Sequence, residues 1–229
     1  TGIKVMPDGS VMFRGWSDGG NSVFTQQPCD LRTSAPCSNG FCSSIWGAGV
    51  LSVAYLVHLD TETLDVKTYT RYMAYKPTSD VPNSISIKDW LVLPDGEVAV
   101  IGGSSYAYVE SHDAWVEPWY IQYRTDPYAR AKGGAFFTLF RKGFAAPRMA
   151  SVIPGLGGGR LAQRGRHLLI YGAANDRSEN YGHQLTTLIQ DPVQKTYGGG
   201  SSDAYVMLID TQGESRPPVI PAKTWKDRR

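Results

Sequence analysis

The sequence has only three cysteines among its 229 residues, and Cys29, Cys37 and Cys42 all lie in one polar stretch. Three is an odd number, so at most one internal disulfide forms and one thiol is left over. A zinc site needs four ligands at ordered spacing, and no histidine lies within this stretch. We therefore expect no metal here, and the cysteines remain open between one disulfide and free thiols.

Long apolar runs and charge of one sign are also missing. No stretch of about 18 apolar residues could form a membrane-spanning helix. The 23 Lys and Arg residues nearly balance the 21 Asp and Glu residues, whereas a nucleic-acid-binding surface is typically basic. We therefore expect neither a nucleic-acid partner nor membrane insertion. The compartment is left undecided, and the first residues lack the apolar segment of a signal peptide, which we expect to be absent or removed.

Known catalytic motifs are absent as well. The glycines 157–159 are followed by Arg160 without the Lys-Ser/Thr of a phosphate-binding loop, and neither Gly-x-Ser-x-Gly nor His-Glu-x-x-His occurs. The four histidines, at positions 58, 112, 167 and 183, have no evident third partner. We expect no catalytic residue, no metal and no cofactor.

The residues that are abundant favour short strands. The chain contains 25 Gly and 14 Pro, which make turns frequent, together with 13 Tyr, 7 Phe and 6 Trp. Aromatic residues between regularly spaced glycines are typical of strands. Residues 83–93 alternate with a period of two through Ile85, Ile87, Leu91 and Leu93. The fold class we predict is all-β.

A hairpin motif recurs along the chain. Residues 5–15 align with residues 92–102, and both contain Val, then Pro-Asp-Gly, then an apolar strand that ends in Gly. Proline fixes φ before the turn, aspartate bonds its own backbone, and glycine takes the positive φ. A looser third copy begins at residues 151–154, passes through a glycine-rich insertion at 155–164, and leaves through 166–172.

A second motif follows each hairpin after a long loop. Residues 54–61 match residues 204–211, and residues 135–143 occupy the equivalent place in the middle unit. Each unit therefore reads as four antiparallel strands. We predict three such blades, at about 1–75, 84–146 and 147–216, followed by an extended basic tail at 217–229.

These repeats resemble kelch-type β-propeller repeats, in which an apolar strand ends in paired glycines and a later strand carries an aromatic residue and an Asp-rich turn. Only the second unit has the full pair, Gly102-Gly103, and the terminal tryptophan of a kelch blade is missing. The resemblance implies a propeller-like fold, and the alternative is a β-sandwich or other all-β fold in which these are ordinary turn glycines. Because closed propellers have at least four blades, three are too few to close a ring. Either a degenerate fourth blade lies within the loops, or the chain is part of a longer protein, or another chain completes the fold. We expect the last, as a protein partner or a homo-oligomer of two copies with six blades.

Function is predicted from the loops. A non-catalytic interaction module, a propeller-like scaffold in a larger assembly, is the first hypothesis. A carbohydrate- or receptor-binding protein, such as a viral tail or surface component, is the second, because aromatic-rich loops suit such recognition. The expected binding residues are Tyr106, Tyr108, Trp115, Trp119, Tyr120 and Tyr123.

A glycoside hydrolase of the propeller type is the third hypothesis. It requires a pair of carboxylates at a defined separation, and the sequence singles out no such pair. Residues 178–182 have the spacing of a sialidase Asp-box, but Asn180 replaces its aspartate and the tryptophan is missing.

Overall fold

The structure is a computed structural model, and it confirms the all-β prediction. The residues that it describes are 2–18, 27, 32, 35–36, 52–72, 74–75, 82–83, 85–104, 107–108, 134–144, 147–153, 156–175 and 202–211. Within these ranges the chain forms strands, turns and one short 3-10 segment, Lys142–Phe144. No helix in the described ranges has the length and apolar character that crossing a membrane requires.

The first sheet contains four antiparallel strands in chain order: β1 (Gly2–Val5), β2 (Val11–Asp18), β3 (Ser52–Leu59) and β4 (Val66–Tyr72). The Pro-Asp-Gly turn joins β1 to β2, as the sequence predicts. The β3–β4 turn is held by Asp60, whose carboxylate accepts bonds from the backbone N–H groups of Glu62, at 2.9 Å, and Thr63, at 3.0 Å. Residues 27 and 36 contact the outer strand, where Tyr69 N donates to Pro36 O at 3.1 Å.

A small sheet that the sequence did not predict follows. It pairs β5 (Ala74–Tyr75) with both β6 (Pro82–Asn83) and β9 (Ala107–Tyr108).

The second large sheet again has four antiparallel strands, which follow one another in space in chain order. They are β7 (Ile85–Val92), β8 (Val98–Ser104), β10 (Gly134–Phe140) and β11 (Pro147–Ile153). The second Pro-Asp-Gly turn joins β7 to β8. Every side chain from Ala135 to Phe140 is buried, which indicates that this sheet is covered on both faces.

The third sheet corrects one sequence-based assignment. Its described strands are β12 (Leu156–Arg164), β13 (His167–Asn175) and β14 (Ser202–Asp210). The third unit was expected to begin at about residue 147, with its first strand at residues 151–154, but Pro147–Ile153 forms the outer strand of the second sheet. The region 155–164, interpreted as an insertion in a loop, is itself the first strand of the third sheet. A Gly165-Arg166 turn therefore makes this hairpin, and the residues after 211 lie outside the described residues.

The three large sheets share one internal register. The glycine near the end of the second strand is paired directly with an aromatic residue on the third strand: Gly15 with Tyr55, Gly102 with Phe136, and Gly172 with Tyr205. We call the side of each sheet that carries this pair its glycine face, and the other side its opposite face. The register therefore supplies an internal alignment of the three units that does not depend on sequence identity.

The sheets stack in the same sense at both junctions. Trp90 lies on the glycine face of the second sheet, and Lys4 Nζ of the opposite face of the first sheet lies 5.3 Å from its ring centroid. Arg14, on the same face as Lys4, donates to Ile87 O at 3.0 Å. The first junction thus joins the opposite face of one sheet to the glycine face of the next.

The second junction repeats this arrangement with an apolar core. Leu161, Leu168, Ile170 and Tyr205, on the glycine face of the third sheet, are buried in one cluster with opposite-face residues of the second sheet such as Ile101, Phe137 and Leu139. Two hydrogen bonds, each between a side chain and a backbone group, link the two sheets beside this core. Leu161 N donates to Asp89 Oδ2 at 3.0 Å, and Arg160 Nη1 donates to Lys88 O at 2.8 Å.

Candidate functional site

The first Pro-Asp-Gly turn places a polar cluster at one end of the first sheet. Met6 N donates to Ser10 O at 2.8 Å and Gly9 N to Met6 O at 2.9 Å, and Gly9 has φ of 85°. Asp8 Oδ1 accepts from Ser10 N at 3.0 Å and from the Ser10 hydroxyl. These bonds hold the pKa of Asp8 at about 2, below its ordinary 3.8, with a smaller contribution from Lys67, whose Nζ lies 3.3 Å from Asp8 Oδ2.

Within the described part of the chain, Ser10 and His58 are the pair of side chains that most resembles a nucleophile and its general base. The Ser10 hydroxyl and His58 Nε2 are hydrogen-bonded, and both residues are buried. Desolvation lowers the pKa of His58, and the nearby charge of Lys67 lowers it further, although Asp8, the Gly143 backbone and Asp60 oppose this shift. The imidazole is therefore neutral at pH 7.

The hydrogen bonds around the Ser10 hydroxyl favour a structural role over a nucleophile–base pair. Asp8 is ionised and can only accept, so the Ser10 hydroxyl proton is directed to Asp8. His58 Nε2 must then donate to the Ser10 oxygen, which leaves Nδ1 as a bare acceptor. Buried His58 Nδ1 makes no well-formed hydrogen bond, which either tautomer would allow. A serine nucleophile needs the opposite direction, in which its proton goes to the histidine.

A second polar cluster joins the second and third sheets. Arg148 Nη2 donates to Glu97 Oε2 and to the Thr211 carbonyl, both at 2.8 Å. Burial raises the pKa of Glu97, with a contribution from Asp95, while Arg148 and Arg141 oppose the shift. Because all three partners lie in or beside turns, the cluster is best described as a clamp between sheet ends.

Five of the six sequence-predicted binding residues lie outside the described residues. Tyr108 belongs to β9 by its backbone, and Tyr106, Trp115, Trp119, Tyr120 and Tyr123 lie outside the described residues. The three cysteines, His112, His183, the 178–182 segment and the basic tail also lie outside them. His58 and His167 are strand residues, as predicted. Within the described ranges no three His, Cys, Asp or Glu side chains are grouped so that they could hold a metal ion.

The structure instead reveals two apolar surfaces at the ends of the stack. On the glycine face of the first sheet, Ile3 is 71% exposed and Val5 67% exposed. On the opposite face of the third sheet, Val206 is 64% and Leu208 62% exposed, and Tyr171 beside them is also exposed. We call these surfaces the first end face (Ile3 and Val5) and the third end face (Tyr171, Val206 and Leu208).

The exposure of the third end face is anomalous for its position in the repeat. The register makes Val206 equivalent to Leu56 and Phe137, which are both fully buried. Leu208 is equivalent to His58 and Leu139, and these are also buried. A position that is covered in two sheets is therefore open in the third.

The first end face is likewise exposed at a repeat position that is buried in the other two sheets. Ile3 is equivalent to Trp90 and Leu161, which are only 3% and 5% exposed because they lie in the two junctions. The outer half of this glycine face differs, since Ala35 packs there with Val57, Val66 and Tyr69. The uncovered part is thus the inner strand, β1.

Sequence reasoning missed these end faces, although part of the signal was present. The alignment of residues 54–61 with 204–211 already equates Leu56 with Val206. What the sequence could not supply was the direction in which the sheets stack, which decides which face lacks a neighbour.

Comparison with protein-family models, with curated proteins and with solved structures gave no match. The kelch-like resemblance therefore rests on the motifs alone.

Proposed function

We propose that the chain is a non-catalytic structural and protein-interaction module, in which three stacked, propeller-like blades form an arc and both end faces bind protein. The observation that carries this proposal is the exposure of Ile3, Val206 and Leu208 at repeat positions that are buried in the other two sheets. Isolated exposed apolar residues are ordinary, but apolar residues clustered on one sheet face mark an interaction surface.

The non-catalytic part of the proposal is supported by the Ser10–His58 pair. Its buried position and the direction of its protons suit a structural role. The glycan-binding hypothesis depends on aromatic side chains outside the described residues and gains no support from the described ones.

The test combines a measurement of particle mass with the binding of anilinonaphthalene sulfonate, a dye that fluoresces when it binds apolar surfaces. We compare the wild-type chain with a Val206→Asp/Leu208→Asp variant. Leu64→Asp is the matched control, because Leu64 is an equally exposed leucine in the β3–β4 turn, away from both end faces. All three substituted residues are exposed, so folding should be retained, and circular dichroism checks this.

We expect wild type either to form particles heavier than one chain or, as a single chain, to bind the dye. The double variant should lose most of that association or dye signal, and Leu64→Asp should lose neither. A wild-type chain that is a single particle without dye binding would overturn the proposal, since the end faces would then be covered by the chain itself.

A further inference from the structure

We propose that a second copy of this chain covers both end faces, so that the third end face of each copy packs on the first end face of the other. This inference rests on the proposed function, because it names the partner of the same two surfaces. The junction between copies would pair the same two kinds of face, opposite face on glycine face, as the two junctions within the chain.

The stacking rule supplies the first argument. Within the chain, the opposite face of the first sheet packs on the glycine face of the second, and the opposite face of the second packs on the glycine face of the third. The two faces left over are the glycine face of the first sheet and the opposite face of the third. They are the two halves of one further junction of the same kind, and a second copy provides each half with its missing partner.

The equivalent residues supply the second argument. Leu161, the counterpart of Ile3, is buried where β12 lies against β7 and β8 of the preceding sheet. By the same packing, Ile3 would lie against β12 and β13 of the other copy. The receiving surface there includes Leu169 and Tyr171, the counterparts of Ala99 and Ile101, and both of those belong to the buried core of the intrachain junction.

The described residue that covers part of the first sheet, Ala35, leaves this arrangement open. Ala35 packs against residues of β3 and β4, which are the outer strands. In the second junction the inner strand of the third sheet, β12, contacts the preceding sheet. The corresponding inner strand of the first sheet is β1, and Ile3 and Val5 of β1 are the residues left exposed.

Geometry limits the number of copies. A face that binds a different face generates a ring if the rotation closes and an open series if it does not. Two copies contribute six large sheets, which lies within the range of four to eight blades in closed propellers. Both junctions of such a pair are identical, so no apolar end face remains uncovered.

Cross-linking between two variants tests which faces meet. Ile3→Cys and Tyr171→Cys are made separately in chains in which Cys29, Cys37 and Cys42 are replaced by Ser, and they are then mixed and treated with a short bismaleimide. We expect cross-linked dimers from the mixture but not from either variant alone, and a particle of twice the 25.1 kDa chain mass in the absence of cross-linker. Leu64→Cys mixed with Tyr171→Cys is the control and should give no cross-linked dimer.

Other outcomes separate this inference from the proposed function. Cross-links within Ile3→Cys alone or Tyr171→Cys alone would show like faces meeting, which overturns the head-to-tail junction while association through the end faces stands. A series of three or more copies overturns the two-copy ring. If wild type is a single chain that binds the dye, the proposal of a second copy is wrong and the proposed interaction module stands. If wild type is a single chain that does not bind the dye, both the second copy and the interaction module are wrong.

Discussion

The phenol ring of Tyr55 lies over Gly15, its directly paired neighbour across β2 and β3. A Cβ atom placed on Gly15 would lie 2.5 Å from Tyr55 Cζ and 2.7 Å from Cε2, a separation that real Cβ contacts do not show. The same relationship holds between Gly102 and Phe136 in the second sheet. Gly15 and Gly102, which lie within the second strands, are therefore required by close approach of an aromatic ring and not by turn geometry.

The first prediction compares alanine at these two glycines. Gly102→Ala should destabilise the fold by about 3 kcal/mol, because the surroundings of this residue are rigid and overpacking cannot be relieved. Gly15→Ala should cost only about 1 kcal/mol, because the side chain that it meets can adapt. The Cβ at position 102 meets both the fully buried Phe136 ring and the Ser86 carbonyl, which is backbone and cannot move away. Urea denaturation of both variants measures the difference.

A double-mutant cycle checks the cause. With Tyr55→Ala in place, Gly15→Ala should add almost no further loss, because the clash is with a side chain alone. Equal losses at positions 15 and 102, or no rescue by Tyr55→Ala, would contradict the close-approach account.

The second prediction concerns the buried histidine. His58 occupies the position that leucine holds in the other two sheets, and its Nδ1 has no partner. His58→Leu should therefore leave the fold unchanged or stabilise it by about 1 kcal/mol, since it removes a buried unsatisfied acceptor and leaves the Ser10 hydroxyl bonded to Asp8. Ser10→Ala should cost about 1–2 kcal/mol, because buried His58 Nε2 then loses its acceptor. Thermal denaturation at pH 7 distinguishes the unchanged or raised stability of His58→Leu from the lowered stability of Ser10→Ala.

The pH dependence gives an independent check on His58. Its pKa is lower in the folded protein than the ordinary 6.5, so the unfolded chain binds the proton more readily. The stability that the neutral imidazole contributes is complete above pH 6.5 and is lost as the pH falls toward the folded pKa. The stability of His58→Leu relative to wild type should therefore rise as the pH is lowered below 6.5. A pH-independent difference would show that His58 does not titrate abnormally.

Much of this architecture could be predicted from the sequence because it is local. The Pro-Asp-Gly turns and the alternating apolar residues of β7 fix hairpins within about ten residues, and the structure confirms both hairpins and the all-β class. The equivalence of residues 54–61 and 204–211 holds in the observed register.

The parts that could not be predicted depend on contacts between distant strands. Strand β11 has a pattern that fits either sheet, and only its pairing with β10 assigns it to the second. The Ser10–His58 bond joins residues 48 positions apart, so spacing along the chain could not indicate it. The candidate surface likewise depends on which faces stack, which no single strand encodes.

The third prediction concerns acid stability. The pKa of Asp8 is about 2 in the folded protein against 3.8 ordinarily, because the Ser10 hydroxyl and backbone N–H bind its carboxylate. Its contribution to stability is complete above pH 3.8 and is lost as the pH falls toward 2. Asp8→Asn should therefore show a weaker loss of stability than wild type over this interval. A titration of the Asp8 carboxyl by NMR that gave an ordinary pKa would contradict this explanation.

The fourth prediction concerns the clamp between the second and third sheets. Arg148→Met should destabilise the fold by about 2–3 kcal/mol, because removing one partner leaves the half-buried Glu97 carboxylate uncompensated and the Thr211 carbonyl without this donor. The Arg148→Met/Glu97→Gln double variant is the matched control and should recover much of that loss, since no buried charge then remains. Chemical denaturation at pH 7 measures both.

The pH dependence of the Arg148→Met variant follows from the direction of the Glu97 shift. Burial raises the pKa of Glu97 above 4.5, and Arg148 opposes that rise, so the pKa in Arg148→Met should be higher still. The folded variant then binds the proton more readily than the unfolded chain, and keeping Glu97 ionised costs stability. The deficit relative to wild type is therefore largest at neutral pH and shrinks as the pH falls through the raised pKa toward 4.5. A deficit that is constant over this interval, or one that persists fully in the double variant, would mean that Arg148 acts through packing and not through the charge of Glu97.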